Sequence, residues 1–308
     1  MRETCLKEVY QLAKADPRIT FVGSDLGFGT LKEFKEEMPE RFFVEGIAEA
    51  HVVGMASGMA LEGHIVYVNT ISTFLTRRCF EQVAVDVCLH NLNVRLIGNG
   101  GGVVYAPLGP THLAIEDISI FRALPNMTIV APADADEMRR LMPQTVDWPG
   151  PIYIRLGKGY DPIVTDDSVP FVLGKALPIR AGRDVLLVTT GITLKLAKEA
   201  AETLAAEGIS AAVLHMPTVK PFDREAFFDH AAPVRAIVSI EENTILGGLG
   251  GAIAELVAEA NFDPAKRFRR IGLPDAFPDK YGSQARLMEH YGVTSAAVVA
   301  ACRALLGQ

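Results

Sequence analysis

Ile65-Val-Tyr-Val-Asn69 and Val94-Arg-Leu-Ile-Gly98 are two short, largely aliphatic runs, and a helical pattern over Leu75–Asn91 separates them. Runs of this length that are apolar on both faces are typical of strands covered on both sides. A strand, a helix and a second strand of this kind form a parallel crossover unit. The stretch 65–98 therefore predicts an α/β fold.

The same alternation continues in both directions and occurs twice. In the first half the patterns predict strands at Ile19–Gly23, Met127–Ala131 and Pro151–Leu156, and helices at Thr4–Ala15, Ala48–Leu61, Ile118–Ala123 and Asp134–Val146. In the second half they predict strands at Asp184–Thr189, Ala211–His215, Ala236–Glu241 and Phe268–Gly272, and helices at Leu194–Glu207, Asp223–His230 and Gly248–Ala260. Two such sets predict two doubly wound domains with mainly parallel sheets, 1–160 and 173–308. The aperiodic stretch between them, rich in Gly, Asp and Pro, suits a linker at 161–172.

Four residues are predicted to cap helices: Asp134, Thr193, Asp223 and Ser283. Glu137 lies three residues after Asp134, which is the spacing of a capping box.

Composition narrows the class of protein. The 308 residues suffice for two domains, and no run approaches the roughly 18 apolar residues of a membrane span. The start shows no signal-peptide pattern, and the four cysteines contain no CxxC pair, which argues against a zinc site or a disulfide framework. A net charge of −7 without a basic cluster argues against nucleic acid and anionic membranes. We expect a reduced, cytoplasmic protein.

Gly46-Ile-Ala-Glu49-Ala-His51 places one carboxylate among small apolar residues, just before a helical run that buries itself. Burial of even a neutral polar group without a partner costs roughly 2–7 kcal/mol, so something specific must receive this side chain. One interpretation is a carboxylate at a helix start, stabilised by the macrodipole and free N–H groups. The other is a carboxyl kept protonated by burial, which donates to a ligand nitrogen. The local sequence leaves both open.

Gly109-Pro-Thr-His112 holds an imidazole where Pro110 stiffens the chain. This segment and the Glu49 motif are two of seven segments that resemble, in the same order, the thiamine diphosphate enzymes of the transketolase group. That group includes transketolases and deoxyxylulose-phosphate synthases. Besides those two motifs, the segments are Ala15–Leu26, Ser72-Thr-Phe74-Leu, Ile115-Glu-Asp117 with Arg122–Met127, Glu241–Gly250 and Gly272–Phe277. The resemblance implies the pyrimidine-binding domain of such an enzyme, followed by its C-terminal domain.

The resemblance also implies roles for individual residues. Glu49 would be the acid that activates the aminopyrimidine of thiamine diphosphate, and Phe74 would stack on that ring. Phe80 is expected to share the pocket, although Arg77-Arg78-Cys79 departs from the family spacing. His112 would face the substrate carbonyl as an oxyanion stabiliser or proton carrier, and Lys158 would bind a sugar phosphate. His51 is expected near the site or at an interface. Core packing for Phe74 and a solvated strand end for Lys158 are the plain alternatives.

One position departs from the family. Transketolases usually carry an aspartate before Gly-Pro-Thr-His, where it contacts a hydroxyl of the donor sugar, whereas this chain has Leu108. Leucine cannot hydrogen-bond a hydroxyl, and sites built around such a contact discriminate strongly. We therefore expect a donor other than the common one, or one bound through other groups.

The family's diphosphate and Mg²⁺ motif begins Gly-Asp-Gly, and no Asp-Gly dipeptide occurs in the 308 residues. Mg²⁺ requires an octahedral array of oxygen ligands, which no cluster in the sequence offers. The resemblance therefore implies a partner subunit that binds the diphosphate and Mg²⁺, in an α2β2 assembly. Gly54 and Gly58, four residues apart, form a flat helix face for such an interface or for packing within the domain.

Two glycine-rich stretches have less specific meanings. Gly247–Gly251 does not directly follow its strand, which argues against a dinucleotide loop, and Gly98–Gly102 is expected to be a mobile active-site loop.

The predicted function is transfer of a two-carbon ketol unit between sugars, with sugar phosphates as the expected class. The alternatives are a deoxyxylulose-phosphate synthase-like reaction, a 2-oxo-acid dehydrogenase E1 β subunit, or a non-catalytic stabilising subunit.

Overall fold

The computed structural model describes residues 1–24, 29–157, 159 and 161–307. Its strands are β1 Ile19–Gly23, β2 Phe42–Val44, β3 Ile65–Ile71, β4 Val94–Asn99, β5 Thr128–Val130, β6 Ile152–Leu156, β7 Leu177–Arg180, β8 Val185–Thr189, β9 Ala211–His215, β10 Thr218–Lys220, β11 Ala236–Thr244 and β12 Arg267–Leu273. Its α-helices are α1 Arg2–Ala15, α2 Lys32–Glu37, α3 Glu49–Leu61, α4 Phe80–Gln82, α5 Asp117–Arg122, α6 Ala135–Leu141, α7 Leu194–Ala206, α8 Arg224–Ala231, α9 Leu249–Ala260, α10 Gln284–His290 and α11 Ser295–Leu306.

The strands form two sheets with helices packed against them. The first sheet has the order β10-β5-β6-β4-β3-β1-β2, and the second has the order β12-β11-β8-β9-β7. Every pairing is parallel except β10 with β5 and β7 with β9, each at one edge of its sheet. The central strands are buried along their whole length because helices cover both faces. The prediction of two mainly parallel, doubly wound sheets is confirmed.

Most predicted elements lie within one or two residues of the observed ones, and the differences have physical causes. The short strands β2, β7 and β10 were not predicted, because their three or four residues show too little periodicity. Helices α2 and α11 were not predicted either. The helix predicted over 75–91 is instead broken into π-helical segments, Phe74–Arg78 and Val83–Cys88, on either side of α4.

The two halves of the chain are joined by more than the linker. Strand β10 follows β9 in sequence but pairs with β5 of the first sheet. Glu137 on α6 and His215 on β9 are both fully buried, and Oε2 of Glu137 lies 3.1 Å from Nε2 of His215. One strand and one buried pair therefore connect the two halves. The domain limits at 160 and 173 stay a prediction.

The capping predictions are right at three of four helices. Asp134 accepts hydrogen bonds from the N–H groups of Asp136 and Glu137, while Asp223 and Ser283 each accept one at their own helix. The prediction for Thr193 is wrong, since its hydroxyl donates to carbonyl groups instead of receiving an N–H of α7. The Glu137 carboxylate accepts from Ala133 N, one residue before the N-cap, and not from the cap itself.

Asp134 also ties the linker to the first domain. Its carboxylate accepts the N–H groups of Val164 and Thr165 at 2.8 and 2.7 Å. Burial alone would raise the pKa of Asp134, but the N–H group of Glu137 together with these two linker donors outweighs burial and lowers it. The first part of the linker is therefore held by a charged acceptor.

Glu241 near the end of β11 receives the N-terminus of α9. Its two carboxylate oxygens accept the N–H groups of Leu249 and Gly250, each at 2.8 Å. Burial raises the pKa of Glu241 from 4.5 to about 7, and the two N–H donors only partly oppose that rise.

A pH dependence of stability follows from the raised pKa of Glu241. Between pH 4.5 and about 7 the folded chain keeps a proton that the unfolded chain has lost, so stability falls as the pH rises through this window. Glu241→Gln removes the titration. We therefore expect the free energy of unfolding of the variant, relative to that of the wild type, to rise by about 1–3 kcal/mol from pH 5 to pH 7.5. Urea unfolding at both pH values measures the difference. Glu3→Gln, at an exposed position, should show no such gain, and parallel pH profiles for Glu241→Gln and the wild type would contradict the assignment.

Candidate functional site

Glu49 is the first residue of α3 and is 4% exposed. The chain reaches it through Gly46, whose φ of +69° allows the turn between β2 and α3. A carboxylate in the first turn of a helix is favoured by the macrodipole, so the plain interpretation of this residue fits its place. The carboxylate also has a specific partner, Arg78.

Arg78 ends the first π-helical segment and contacts two of the predicted site residues. Its Nη1 donates to Oε2 of Glu49 at 3.0 Å, and its guanidinium carbon lies 3.8 Å from the centre of the Phe74 ring. The ion pair reduces the cost of burying the Glu49 charge, and the ring face attracts the cation. Arg78 thus joins Glu49 to Phe74.

His112 completes the cluster. Its ring centre lies 5.2 Å from that of the half-buried Phe74, with 64° between the ring planes. Thr111 Oγ1 lies 2.9 Å from the ring nitrogen Nδ1 of the histidine. Glu49, Arg78, Phe74 and His112 therefore form one continuous chain of contacts, which brings three of the predicted site residues together.

Arg77, the neighbour of Arg78, holds residues 103–115, which we name the His112 loop. Its guanidinium donates to the carbonyl groups of Pro110 and Leu113 at 3.3 and 3.2 Å and pairs with Glu116 at 2.9 Å. Two consecutive arginines thus hold the two motifs that carry Glu49 and His112. Sequence reasoning missed both; the available signal was a pair of charges in an otherwise apolar helical pattern. π-Helical turns occur often at functional sites.

Gly98–Gly102 is not the mobile loop that the sequence analysis expected, since all five residues are buried. Gly100 and Gly101 donate their N–H groups to the carbonyl of Leu156, and Gly102 pairs with Ala114. At Gly100 and Gly102 φ is positive, and a side chain would overlap the Tyr105 ring and the Glu242 carboxylate. These glycines allow close packing at the base of the His112 loop.

None of the other predicted residues that the structure describes joins the Glu49–Arg78–Phe74–His112 contacts. Phe80 is 38% exposed and makes no ring contact with another described aromatic side chain, so its place in a cofactor pocket stays a prediction. His51 is exposed, 3.8 Å from Glu45, and Leu108 is 51% exposed. Lys158 lies outside the described residues.

Gly54 and Gly58 face open space: a methyl group built on either would meet no atom within 4 Å. Packing of this helix face within the domain, one of the two interpretations above, is therefore wrong. Exposed apolar side chains occur on α3 and the segment packed beside it, namely Leu61, Phe80, Val85 and Leu89. This set, with Gly54 and Gly58, is named the α3 face.

The described residues contain neither a metal-binding cluster nor a membrane-spanning helix. No three His, Cys, Asp or Glu side chains in the described ranges group as a metal site would require. Within those same ranges, no helix combines the length and the apolar character needed to cross a membrane.

Comparison with known proteins identifies the protein family. Residues 1–160 match the family model described as the transketolase pyrimidine binding domain, and residues 174–298 match the transketolase C-terminal domain. The chain belongs to the transketolase family.

Several relatives are similar over almost the whole chain. A 6-deoxy-6-sulfo-D-fructose transketolase subunit from Clostridium sp. (strain MSTE9) is 37% identical over 302 residues, which are 98% of this chain and 92% of that protein. An apulose-4-phosphate transketolase subunit from Phocaeicola vulgatus is 37% identical, over 95% of this chain and 93% of that one. A 1-deoxy-D-xylulose-5-phosphate synthase from Geobacter sulfurreducens is 40% identical over 96% of this chain but only 46% of its own length.

A solved structure has the same fold along the chain. It is described as a split gene transketolase, inactive beta4 tetramer, and superposes with a TM-score of 0.91 at 36% identity. The match covers 99% of this chain and 98% of that one.

The contact between Arg78 and Glu49 can be tested by stability. Arg78→Ala leaves a nearly buried carboxylate without its partner, and we expect a loss of about 1–3 kcal/mol in the free energy of unfolding at pH 8. Lys7→Ala, which breaks the exposed pair with Glu3, is the matched control and should cost about 0–1 kcal/mol. Adding Glu49→Gln to Arg78→Ala removes the unpaired charge and should recover part of the loss. Equal effects of Arg78→Ala and Lys7→Ala would contradict this account.

Proposed function

We propose that this chain is the pyrimidine-binding and C-terminal subunit of a split, thiamine-diphosphate-dependent transketolase-like enzyme. The reaction is transfer of a two-carbon ketol unit between sugars, with sugar phosphates as the first class to test. The observation that carries the proposal is the contact chain Glu49–Arg78–Phe74–His112. It brings an acid, an aromatic face and an imidazole together in a chain of this family.

The residues present fit the aminopyrimidine half of thiamine diphosphate. Glu49 offers a buried carboxyl for a ring nitrogen and Phe74 a partly open ring face, while the buried hydroxyl of Thr73 beside it has no partner among the described groups. The bound cofactor supplies a carbon nucleophile for the substrate carbonyl. Arg78 contacts the same carboxylate and ring and belongs to this pocket. Phe80 is proposed as a further wall.

His112 is proposed to act on the substrate. An imidazole held at the edge of the Phe74 ring can donate to a developing oxyanion or carry a proton at its free ring nitrogen. Thr111 beside Nδ1 fixes the ring orientation, which leaves Nε2 for the substrate. Lys158 is proposed to bind a phosphate group.

A partner subunit is proposed to hold the diphosphate and Mg²⁺. The two relatives described as transketolase subunits, which match this chain over nearly their whole lengths, support a divided enzyme. The open α3 face supports a contact between subunits, because paired glycines allow close approach of a second helix. We propose an α2β2 assembly in the cytoplasm.

The alternatives differ in what they require of the site. A deoxyxylulose-phosphate synthase-like reaction uses the same cofactor groups, and one relative carries that name. An E1 β subunit is disfavoured because Pro110-Thr-His-Leu113 replaces its usual loop sequence. A non-catalytic subunit needs neither Glu49 nor His112, so the presence of both residues supports a catalytic subunit.

Substitution of Glu49 distinguishes a catalytic from a structural role. In the enzyme reconstituted with its partner, Glu49→Gln keeps the shape but replaces the carboxyl group with an amide that cannot exchange a proton with the cofactor ring, and we expect kcat to fall about 100-fold or more. Glu45→Gln, in the same motif but exposed, is the matched control with unchanged kcat. Unchanged turnover in Glu49→Gln would favour a stabilising subunit.

Titration calorimetry with thiamine diphosphate and Mg²⁺ tests the divided site. We expect binding heat only when this chain and the copurifying diphosphate-binding chain are mixed, since each holds half of the cofactor. Tight binding by this chain alone would show that the diphosphate is held here.

Once binding is established, a panel of ketose donors should include 6-deoxy-6-sulfo-D-fructose and apulose 4-phosphate, because Leu108 replaces the aspartate that contacts the common donor.

A further inference from the structure

The His112 loop is held at both ends by one strand of the second sheet. At its start, Val103 N donates to Oε1 of Glu242 at 2.9 Å. At its end, the carbonyl of Ile115 accepts from Thr244 N at 2.7 Å. Glu242 and Thr244 are two residues apart on β11, so the end of this strand clamps the loop.

The body of the loop also packs on the second half of the chain. Its apolar residues Val103, Tyr105, Ala106, Leu113 and Ile115 share one buried cluster with side chains of that half, namely Leu273, Leu287, Met288 and Val293. The loop has few hydrogen bonds of its own beyond tight turns such as His112 N to Gly109 O. Its shape therefore depends on what it packs against.

Glu242 is the acidic member of this contact. Its side chain is almost fully buried, and Oε1 accepts a second hydrogen bond from Gln284 Nε2 at 2.9 Å. The carboxylate lies directly against Gly102, where any side chain would overlap it. Arg155 donates to the backbone carbonyl of Glu242 at 2.8 Å and so fixes the strand from the other side.

We propose that Glu242 is a positioning residue for His112: its carboxylate sets the base of the His112 loop and thereby the place of the imidazole. The expected effect on catalysis rests on the proposed function. The expected effect on the loop rests on the contacts alone. It assigns the second half of the chain a task in catalysis, although that half contributes no residue to the Glu49–Arg78–Phe74–His112 contacts.

Hydrogen exchange and kinetics test the proposal on the full chain and on the reconstituted enzyme. Glu242→Leu removes the acceptor, and we expect the amides of 103–114 to exchange about tenfold faster or more, as loss of a buried hydrogen bond implies. kcat should fall about 10- to 100-fold, since small displacements of a reacting group have effects of this size. The affinity for thiamine diphosphate should stay within about twofold, since Glu49 and Phe74 do not contact Glu242. Glu242→Gln keeps an oxygen for Val103 N and should retain most of the activity.

Glu241→Gln is the matched control. Glu241 is the adjacent buried carboxylate, but it binds Leu249 and Gly250 and not the loop, so loop exchange should stay at the wild-type rate. In a His112→Ala background, Glu242→Leu should lower the residual kcat by less than about twofold, because a positioning residue has nothing left to position. Should Glu242→Leu not fold, Gln284→Ala is the second variant, because it removes the other hydrogen-bond donor to Oε1 of Glu242. We expect it to give a smaller increase in loop exchange and a smaller loss of kcat.

Two results would overturn the proposal. One is wild-type exchange of 103–114 in Glu242→Leu, and the other is an equal loss of kcat with and without His112. Failure of the proposed function looks different, because the wild-type complex would then show no cofactor-dependent turnover while the exchange measurement still reports on the loop.

Discussion

The buried ion pair between Asp117 and Arg155 is the contact on which the arrangement of the site depends. Nε of Arg155 donates to Oδ2 of Asp117 at 2.7 Å, and both side chains are almost excluded from solvent. Burying two such charges costs several kcal/mol per ion unless further hydrogen bonds compensate. Tyr153 donates to the same carboxylate oxygen, and Arg155 reaches the carbonyl of Glu242. The pair therefore fixes α5 and β6 of the first half against β11 of the second.

The site assembled on this frame combines segments that are distant in sequence. Glu49 starts a helix, Phe74 and Arg78 lie on a π-helical turn, and His112 lies on a long loop. A π-helical turn is wider than an α-helical one, which alters the spacing of the side chains on it. This turn carries Arg77 and Arg78, and it places one arginine on the Glu49 carboxylate and the other on the His112 loop.

Two aromatic side chains of the second half lie beside the His112 loop. The ring of Tyr281 lies so close to Gly109 that a methyl group there would overlap it, and Phe277 lies 5.9 Å from the Arg77 guanidinium. Both aromatic side chains are largely exposed, next to a loop whose tip carries Leu108. These two aromatic side chains of the second half therefore lie against the His112 loop and against the arginine that holds it.

Local patterns in the sequence were enough to establish the fold class, most strands and helices, the family and the candidate residues Glu49, Phe74 and His112. The fold elements follow from periodicity, and the family and candidate residues follow from the resemblance of short motifs to known enzymes. Strand β10 could not be predicted, because three residues carry no period and its pairing partner lies some ninety positions earlier in the chain. The folded chain, in contrast, was needed to place Arg78 on Glu49 and Glu242 on Val103, and it replaced the expected mobile glycine loop with a buried one. Such contacts arise from packing between elements, which no local pattern encodes.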